Sequence, residues 1–225
     1  MRFQDAARDA RTVVYAGIQA DPLVARLAGL LESASYAERL LARAAMNGES
    51  TGAETWRRIF PTLFEGDVDE GLRAHAEQLL AASLEVADRG DAARNQYRGA
   101  VVEELTAQLL ARRAAGDAPV RRERRVLFDG VRAEIHPYDV TVEYETRPEV
   151  YDCKWGARGI NADVLNQLDD ARAHAADEEV DLRVAIVVFD ARRSCEIRLA
   201  RSTANREGTR LIALETLDDL GEVRP

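Results

Sequence analysis

Hydrophobic positions recur at helical spacing through residues 1–90, and the polar positions between them carry helix boundary signals. Asp21-Pro22 reads as an N-cap followed by proline at the first helical position, and Ser35-Tyr36-Ala37-Glu38 as a capping box ahead of LLARAAM. Asn47-Gly48 supplies a stop, and Asp67-Val68-Asp69-Glu70 opens a further helix that runs to Arg89-Gly90. Trp56, Ile59, Phe60, Leu63 and Phe64 recur around Pro61 as core packing. The pattern changes after Gly90-Asp91, which we take as the seam between an all-α N-terminal domain, residues 1–90, and a second domain, residues 91–225.

The second domain starts with a helix from about Asp91 to Ala115, stopped at Gly116, with Val102, Leu105 and Leu109 on one face. Arg125 to Phe128, the turn Asp129-Gly130, and Val131 to Ile135 read as a hairpin. From Asp139 to Glu145 the chain alternates, with Val140, Val142 and Tyr144 opposed to Asp139, Thr141, Glu143 and Glu145. Thr146-Arg147-Pro148 breaks the run. A second alternating strand sets Tyr151, Cys153 and Trp155 against Val150, Asp152 and Lys154, so these two strands form a hairpin. A helix from about Asn161 to Ala176 follows, with Val164, Leu165, Leu168 and Ala171 inward. Leu182 to Phe189 is apolar without alternation, as expected of a strand covered on both faces. Strand, helix and buried strand make a right-handed crossover unit. Cys195 to Leu199 reads as a further strand, and Arg210 to Leu220 as a short strand leading to a terminal helix. The expected class is α/β, a mixed β-sheet flanked by helices.

Composition narrows the function classes. At 225 residues, 46% apolar, the chain can bury a core, and no apolar run approaches the roughly 18 residues of a membrane span. The start MRFQDAARDARTVV mixes acids into its first turns, unlike a secretory presequence, so a cytoplasmic location without a membrane partner is expected. Cys153 and Cys195 are too few for a thiolate zinc site or a disulfide framework, and read as small core residues. His75, His136 and His174 lack ligand spacing. A net charge of -9 argues against indiscriminate coating of nucleic acid or anionic lipid, although arginines cluster at Arg121, Arg122, Arg124 and Arg125. That run also suits a solvated sheet edge. Of the 31 basic residues all but Lys154 are arginine, which marks Lys154 as a position that wants a compact ammonium on a flexible stem.

Residues two apart on a strand point the same way, so Asp152 and Lys154 stand side by side while Cys153 turns into the core. A hairpin closed around 145–149 places Asp139 opposite a position near 152–157, and the polar sets of both strands emerge on one side. Two carboxylates and an ammonium then converge. Carboxylate oxygens suit a hard cation such as Mg²⁺ or Mn²⁺, which beside a phosphodiester polarises the phosphoryl oxygen and activates water, while Lys154 orients that water or stabilises charge developing at phosphorus.

Pro137-Tyr138-Asp139, twelve intervening residues, then Asp152-Cys153-Lys154 resembles the motif of the PD-(D/E)xK phosphodiesterase superfamily, which has the restriction-endonuclease-like fold. Arg98-Gly99-Ala100-Val101-Val102-Glu103 is similar to the Gly-x-x-x-Glu helix start of Holliday-junction resolvases in that superfamily. The match departs at Tyr138, which separates Pro137 from Asp139, and at Asp152, where glutamate is commoner. The resemblance implies a catalytic set of Glu103, Asp139, Asp152, Lys154 and Gln167, and a metal set of Asp139, Asp152, Cys153 and Glu103. Glu143 is a further candidate for the acid cluster. Arg158, in a Gly-flanked turn next to the site, and Arg121 and Arg122 are candidates for phosphate contact.

The function expected is therefore that of a Mg²⁺-dependent nuclease acting on DNA, in restriction, phage defence or repair. The helical half would serve dimerisation, targeting or regulation. The alternative from another class is a nuclease-like fold without turnover that binds nucleic acid or a protein partner. A third reading treats the helical half as primary and the chain as an assembly scaffold.

Overall fold

The computed structural model describes residues 1–7, 10–48, 50–132, 136–202, 204 and 207–222. They form two compact units, Ala10–Leu105, and Met1–Asp9 together with Thr106–Pro225.

The first unit is helical: α1 (Ala10–Gln19), α2 (Pro22–Glu32), α3 (Tyr36–Asn47), α4 (Ala53–Ile59), α5 (Pro61–Phe64), α6 (Glu70–Ala87) and the first part of α7 (Asp91–Ala114). The boundary chemistry is as expected. The Asp21 side chain accepts the Leu23 N–H, Ser35 and Glu38 close a reciprocal capping box, and Asp69 accepts the Leu72 N–H, so the first backbone donors of α2, α3 and α6 are satisfied locally. Leu41 and Ala45 of α3 pack with Trp56, Leu63, Phe64 and with Ala76 and Leu80 of α6. Ile59, expected in this core, is 55% exposed instead, because the turn at Phe60-Pro61 rotates it to solvent. The buried Glu38 carboxylate also takes a 2.6 Å contact from His75 Nδ1. Burial pushes its pKa up, but His75 and Ser35 outweigh that and hold it below its ordinary value.

The second unit is a mixed sheet: β1 (Arg2–Asp5), β2 (Val120–Phe128), β3 (Val131–Arg132), β4 (Tyr138–Val142), β5 (Glu149–Lys154), β6 (Arg183–Val188) and β7 (Thr209–Ile212). The order is β1-β2-β4-β5-β6-β7, with the two-residue β3 paired to β2. Pairs from β1 to β5 are antiparallel, whereas β5–β6 and β6–β7 are parallel, as the apolar run at 182–189 requires of a buried strand reached by a crossover. Helix α8 (Ala162–Asp177), N-capped by Asn161, makes that crossover. Its Leu165, Leu168 and Ala171 pack with Val150, Val184, Ile186 and Val188 on one sheet face. On the other face α7 reaches Cys153 through Thr106, and Glu149 and Tyr151 through Arg113. Both faces of β5 are therefore covered, and Thr141 and Val150, on the nominally polar side of the hairpin, are fully buried.

Three expectations are corrected here. Arg2–Asp5 is a strand, paired antiparallel to β2 by the register Phe3↔Val126, although helix was expected throughout 1–90. With β1 outside it, β2 is no sheet edge, and Arg124 is buried between Glu143 and Asp5 rather than solvated. Cys195 to Leu199 is not a strand but lies within α9 (Arg192–Ala200). Only Cys195 and Leu199, four apart, turn inward, while Ile197 is 46% exposed, so helical spacing prevails over the apparent alternation. In the expected hairpin arm Val131 to Ile135, Val131 and Arg132 pair with Phe128 and Leu127, and 133–135 lie outside the described residues. No helix among the described residues is long and apolar enough to cross a membrane.

Candidate metal centre

The β4–β5 ladder runs Val142↔Glu149, Thr141↔Val150, Val140↔Tyr151, and one further step brings Asp139 across from Asp152. There the main-chain ladder ends, and the Asp139 side chain substitutes for it. Its Oδ2 accepts the Cys153 N–H at 2.6 Å. Where β4 leaves the ladder its alternation lapses as well, and Tyr138 joins the α8 layer with its hydroxyl 3.4 Å from the Gln167 carbonyl.

Lys154 Nζ forms an ion pair with Asp152 and lies 3.9 Å from Asp139 Oδ2, so the two carboxylates and the ammonium gather at one point. Asp152 is 7% exposed, and burial raises its pKa despite the opposing pull of Lys154. Burial also works against the Lys154 ammonium, but Asp139 and Asp152 more than offset it, and the amine is held charged well above its ordinary range. The lysine thus presents a cation rather than a base.

The turn after β5 fixes the lysine stem. Asp190, at the end of β6, accepts the N–H of Ala157 at 3.0 Å and of Ala191 at 2.8 Å, tying Gly156–Gly159 to the neighbouring strand. Trp155 stacks on Phe189 with centroids 5.0 Å apart, a packing contact rather than a free stacking platform. A Cβ on Gly159 would fall 2.8 to 2.9 Å from Cδ, Cβ and Cγ of Lys154, closer than carbon atoms tolerate. Gly159→Ala is therefore expected to destabilise by about 1–3 kcal/mol through overpacking. Gly29→Ala, in α2 with nothing within 4 Å of the new methyl, should stabilise by about 0.5–1 kcal/mol. Urea denaturation of the two variants reads the opposite signs.

Helix α7 is unbroken from Asp91 to Ala114, and the buried Glu103 sits one turn before Thr106, where the sheet unit's share of the helix starts. Among the described residues of the sheet unit, carboxylate oxygens of Glu123 and Asp139 lie within 4.8 Å of one another, an acidic pair able to contribute to holding a metal ion. Both are hard oxygen donors, the chemistry that suits Mg²⁺, Mn²⁺ or Ca²⁺ and disfavours soft metals.

Glu123 stands with Asp139 although the expected set lacked it, Asp152 is paired with Lys154 instead, and Glu103 belongs to the helical unit. Cys153 is no thiol ligand, since its Sγ is buried 3.5 Å from the Thr106 hydroxyl, and what it lends the site is its N–H to Asp139. Glu143 is drawn off by Arg124, whose Nε is 2.7 Å from it. Gln167 is occupied with the main chain at His136, donating to its carbonyl at 3.0 Å and accepting its N–H at 3.1 Å, and so holds the approach to β4. Arg158 and Arg121 are exposed and Arg122 is half-buried. Arg121 and Arg122 are neighbours on β2, so their side chains leave opposite faces. Glu123 was discoverable in principle. It is the one acid in the run Arg-Arg-Glu-Arg-Arg, and the register that pairs Arg122 with Val140 and Arg124 with Tyr138 sets it level with Asp139. Its φ of 54°, in the left-handed region, is the departure from regular strand that no pattern announces.

Fold and site together define an α/β protein with a mixed sheet, flanking helices and an acidic group capable of binding a cation. No protein-family model matches the chain, and a search of curated proteins finds no match. Among solved structures, protein VC1899 from Vibrio cholerae is similar at a TM-score of 0.44 and 18% identity, over 98% of this chain and 56% of that one. The chain thus spans about half the length of the protein it matches.

Proposed function

We propose that the chain hydrolyses phosphodiester bonds in nucleic acid, DNA first among them, with a divalent cation, in the manner of the PD-(D/E)xK enzymes that its Asp139…Asp152-Cys153-Lys154 motif resembles. The observation that carries this reading is the convergence of Lys154 with Asp139 and Asp152 at the place where the β4–β5 ladder ends.

Glu123 and Asp139 would hold Mg²⁺ or Mn²⁺, with Glu103 as the further acid that the motif resemblance implies. When bound, such an ion polarises a phosphoryl oxygen and lowers the pKa of water. Asp139 keeps one oxygen on the Cys153 N–H, which fixes the direction of the other. Asp152 holds the Lys154 ammonium in place, and Lys154 supplies N–H donors to an oxygen that gains charge as the bond to phosphorus breaks. Arg158, exposed in the adjoining turn, would meet a neighbouring phosphate.

The test is an assay of labelled duplex, junction and single-stranded DNA and of RNA with Mg²⁺, Mn²⁺ or EDTA, alongside Asp139→Asn. Cleavage should require the cation and vanish in the variant without loss of fold. Cleavage that survives Asp139→Asn, or that persists in EDTA, overturns the proposal. Mn²⁺ binding without cleavage of any substrate would favour the non-catalytic binding module.

A further inference from the structure

Helix α9 contributes little to the core. Of its nine residues only Cys195 is buried, Leu199 is half-buried, and the N-cap position, Ala191, has no capping side chain. A short helix so placed gains little from packing, which is the main source of helical stability in proteins. Its exposed positions are basic instead. From 192 to 201 four arginines stand against Glu196 alone, in a chain of net charge -9. Arg192 is drawn off by Glu196, one turn along, at 3.1 Å. Arg198 and Arg201, three apart and hence on one side, are both exposed.

Arg198 is bound to the turn that fixes the lysine. Its Nε donates to the Ile160 carbonyl at 2.9 Å, and Ile160 follows Gly159, whose α-carbon lies against the Lys154 stem. That carbonyl belongs to another element, so the arginine does more than complement the end of its own helix. A planar guanidinium held at Nε has its two terminal nitrogens as the remaining donor pair, the fork that meets a phosphate. Arg198, Arg201 and Ser202 bound a cavity of about 200 Å³ together with Ile160, Asn161 and Ala162. The charged groups of that lining are both arginines.

Resting on the functional reading above, we propose that Arg198 and Arg201 bind a phosphate of the nucleic-acid backbone close to the one that meets Lys154, and that α9 is the element that sets the strand across the site. The occupant follows from charge. Two guanidinium groups without an acid among the lining residues suit a polyanion, which is drawn to this face and repelled by the acidic remainder of the chain. Contacts of this kind read no base sequence but fix register and orientation. The bond from Arg198 to Ile160 ties that register to the turn on which Lys154 rests.

The experiment is titration of a labelled DNA duplex with the full chain in EDTA, read by fluorescence anisotropy over a series of KCl concentrations, for wild type, Arg198→Gln, Arg201→Gln and Arg192→Gln. Loss of one charge-assisted contact to phosphate should weaken binding about 10-fold at low salt and lower the slope of log affinity against log salt by about 0.9. Arg198→Gln and Arg201→Gln should each show both effects. Arg192→Gln, whose charge is already met by Glu196, should show much less. Equal losses in all three would reduce α9 to bulk charge and overturn the inference. Wild-type affinity in Arg198→Gln and Arg201→Gln would overturn it too and leave the proposed function standing, since cleavage rests on Asp139 and Lys154. Displacement of the duplex by polyglutamate as readily as by unlabelled DNA would point to an acidic protein partner and overturn the phosphate assignment. A wild-type chain that binds no duplex, single-stranded DNA or RNA removes the nucleic-acid reading itself, and the inference falls with it.

Discussion

Cation-dependent cleavage by Lys154→Met protein is expected to fall about 10²–10³-fold, the loss typical when one preorganised donor to a developing negative charge is removed. Methionine keeps most of the stem that Gly159 packs against and removes the ammonium alone. Asp152 then loses the cation that was lowering its pKa, and burial pushes that pKa higher still. A carboxyl that takes up a proton avoids a buried unpaired charge, so the fold should survive. Mn²⁺ affinity should hold or rise, because Lys154 also lies 3.9 Å from Asp139 and its positive charge opposes a bound cation. The decisive combination is lost turnover with retained Mn²⁺ binding, measured by single-turnover cleavage beside calorimetry. Turnover at the wild-type rate would remove Lys154 from the chemistry.

The largest stability effect is expected at the other end of β5. Glu149 is 3% exposed, paired with Arg113 of α7 and hydrogen-bonded by the Tyr151 hydroxyl at 2.6 Å. Burial works against the Arg113 charge, and the neighbouring Tyr151 and Glu149 outweigh it. Burial, then Glu149, pushes the Tyr151 phenol well above its ordinary range, so it stays a donor at any working pH. Arg113→Met leaves the buried Glu149 with only the half-exposed Arg183, 3.7 Å away, as its cation, and should cost up to about 3–5 kcal/mol. Replacing both partners, Arg113→Met with Glu149→Leu, should recover most of that loss, because no charge is then stranded. As a contrast, Arg26→Met breaks an ion pair to Glu85 whose side chains are about half exposed, and should cost no more than about 1 kcal/mol. Urea denaturation of the four proteins orders these effects. A loss at Arg113 no greater than at Arg26 would refute the assignment of a buried pair.

What could be read from sequence was set by how local the physics is. The caps at Asp21, Ser35 and Asp69 lie within three residues of the donors they satisfy, so their patterns are visible in the chain. Asp139, Asp152 and Lys154 were placed together by strand parity and one turn, again a short-range argument. Glu123 needed the pairing of β2 with β4, across a segment that no turn signal measures, and a left-handed backbone at one residue. The strand at Arg2–Asp5 has a single apolar residue, Phe3, and exists because β2, more than a hundred residues away, offers it an edge. Gln167 was expected at the chemistry from a family spacing, whereas its partner His136 becomes apparent only once α8 lies over the sheet. The segment Cys195 to Leu199 fitted a strand and a helix equally over five residues, and burial decided between them.

Lys154 closes a strand that is flanked on both edges, by β4 and β6, and covered on both faces. Amide protons along such a strand exchange with solvent only when the cooperative unit around it opens as a whole. The Lys154 ammonium is therefore anchored to the last residue of a strand of the cooperative sheet rather than to a loop that breathes independently. Thermal inactivation and the collapse of the sheet should for that reason be one event, with no inactive yet folded species accumulating on the way.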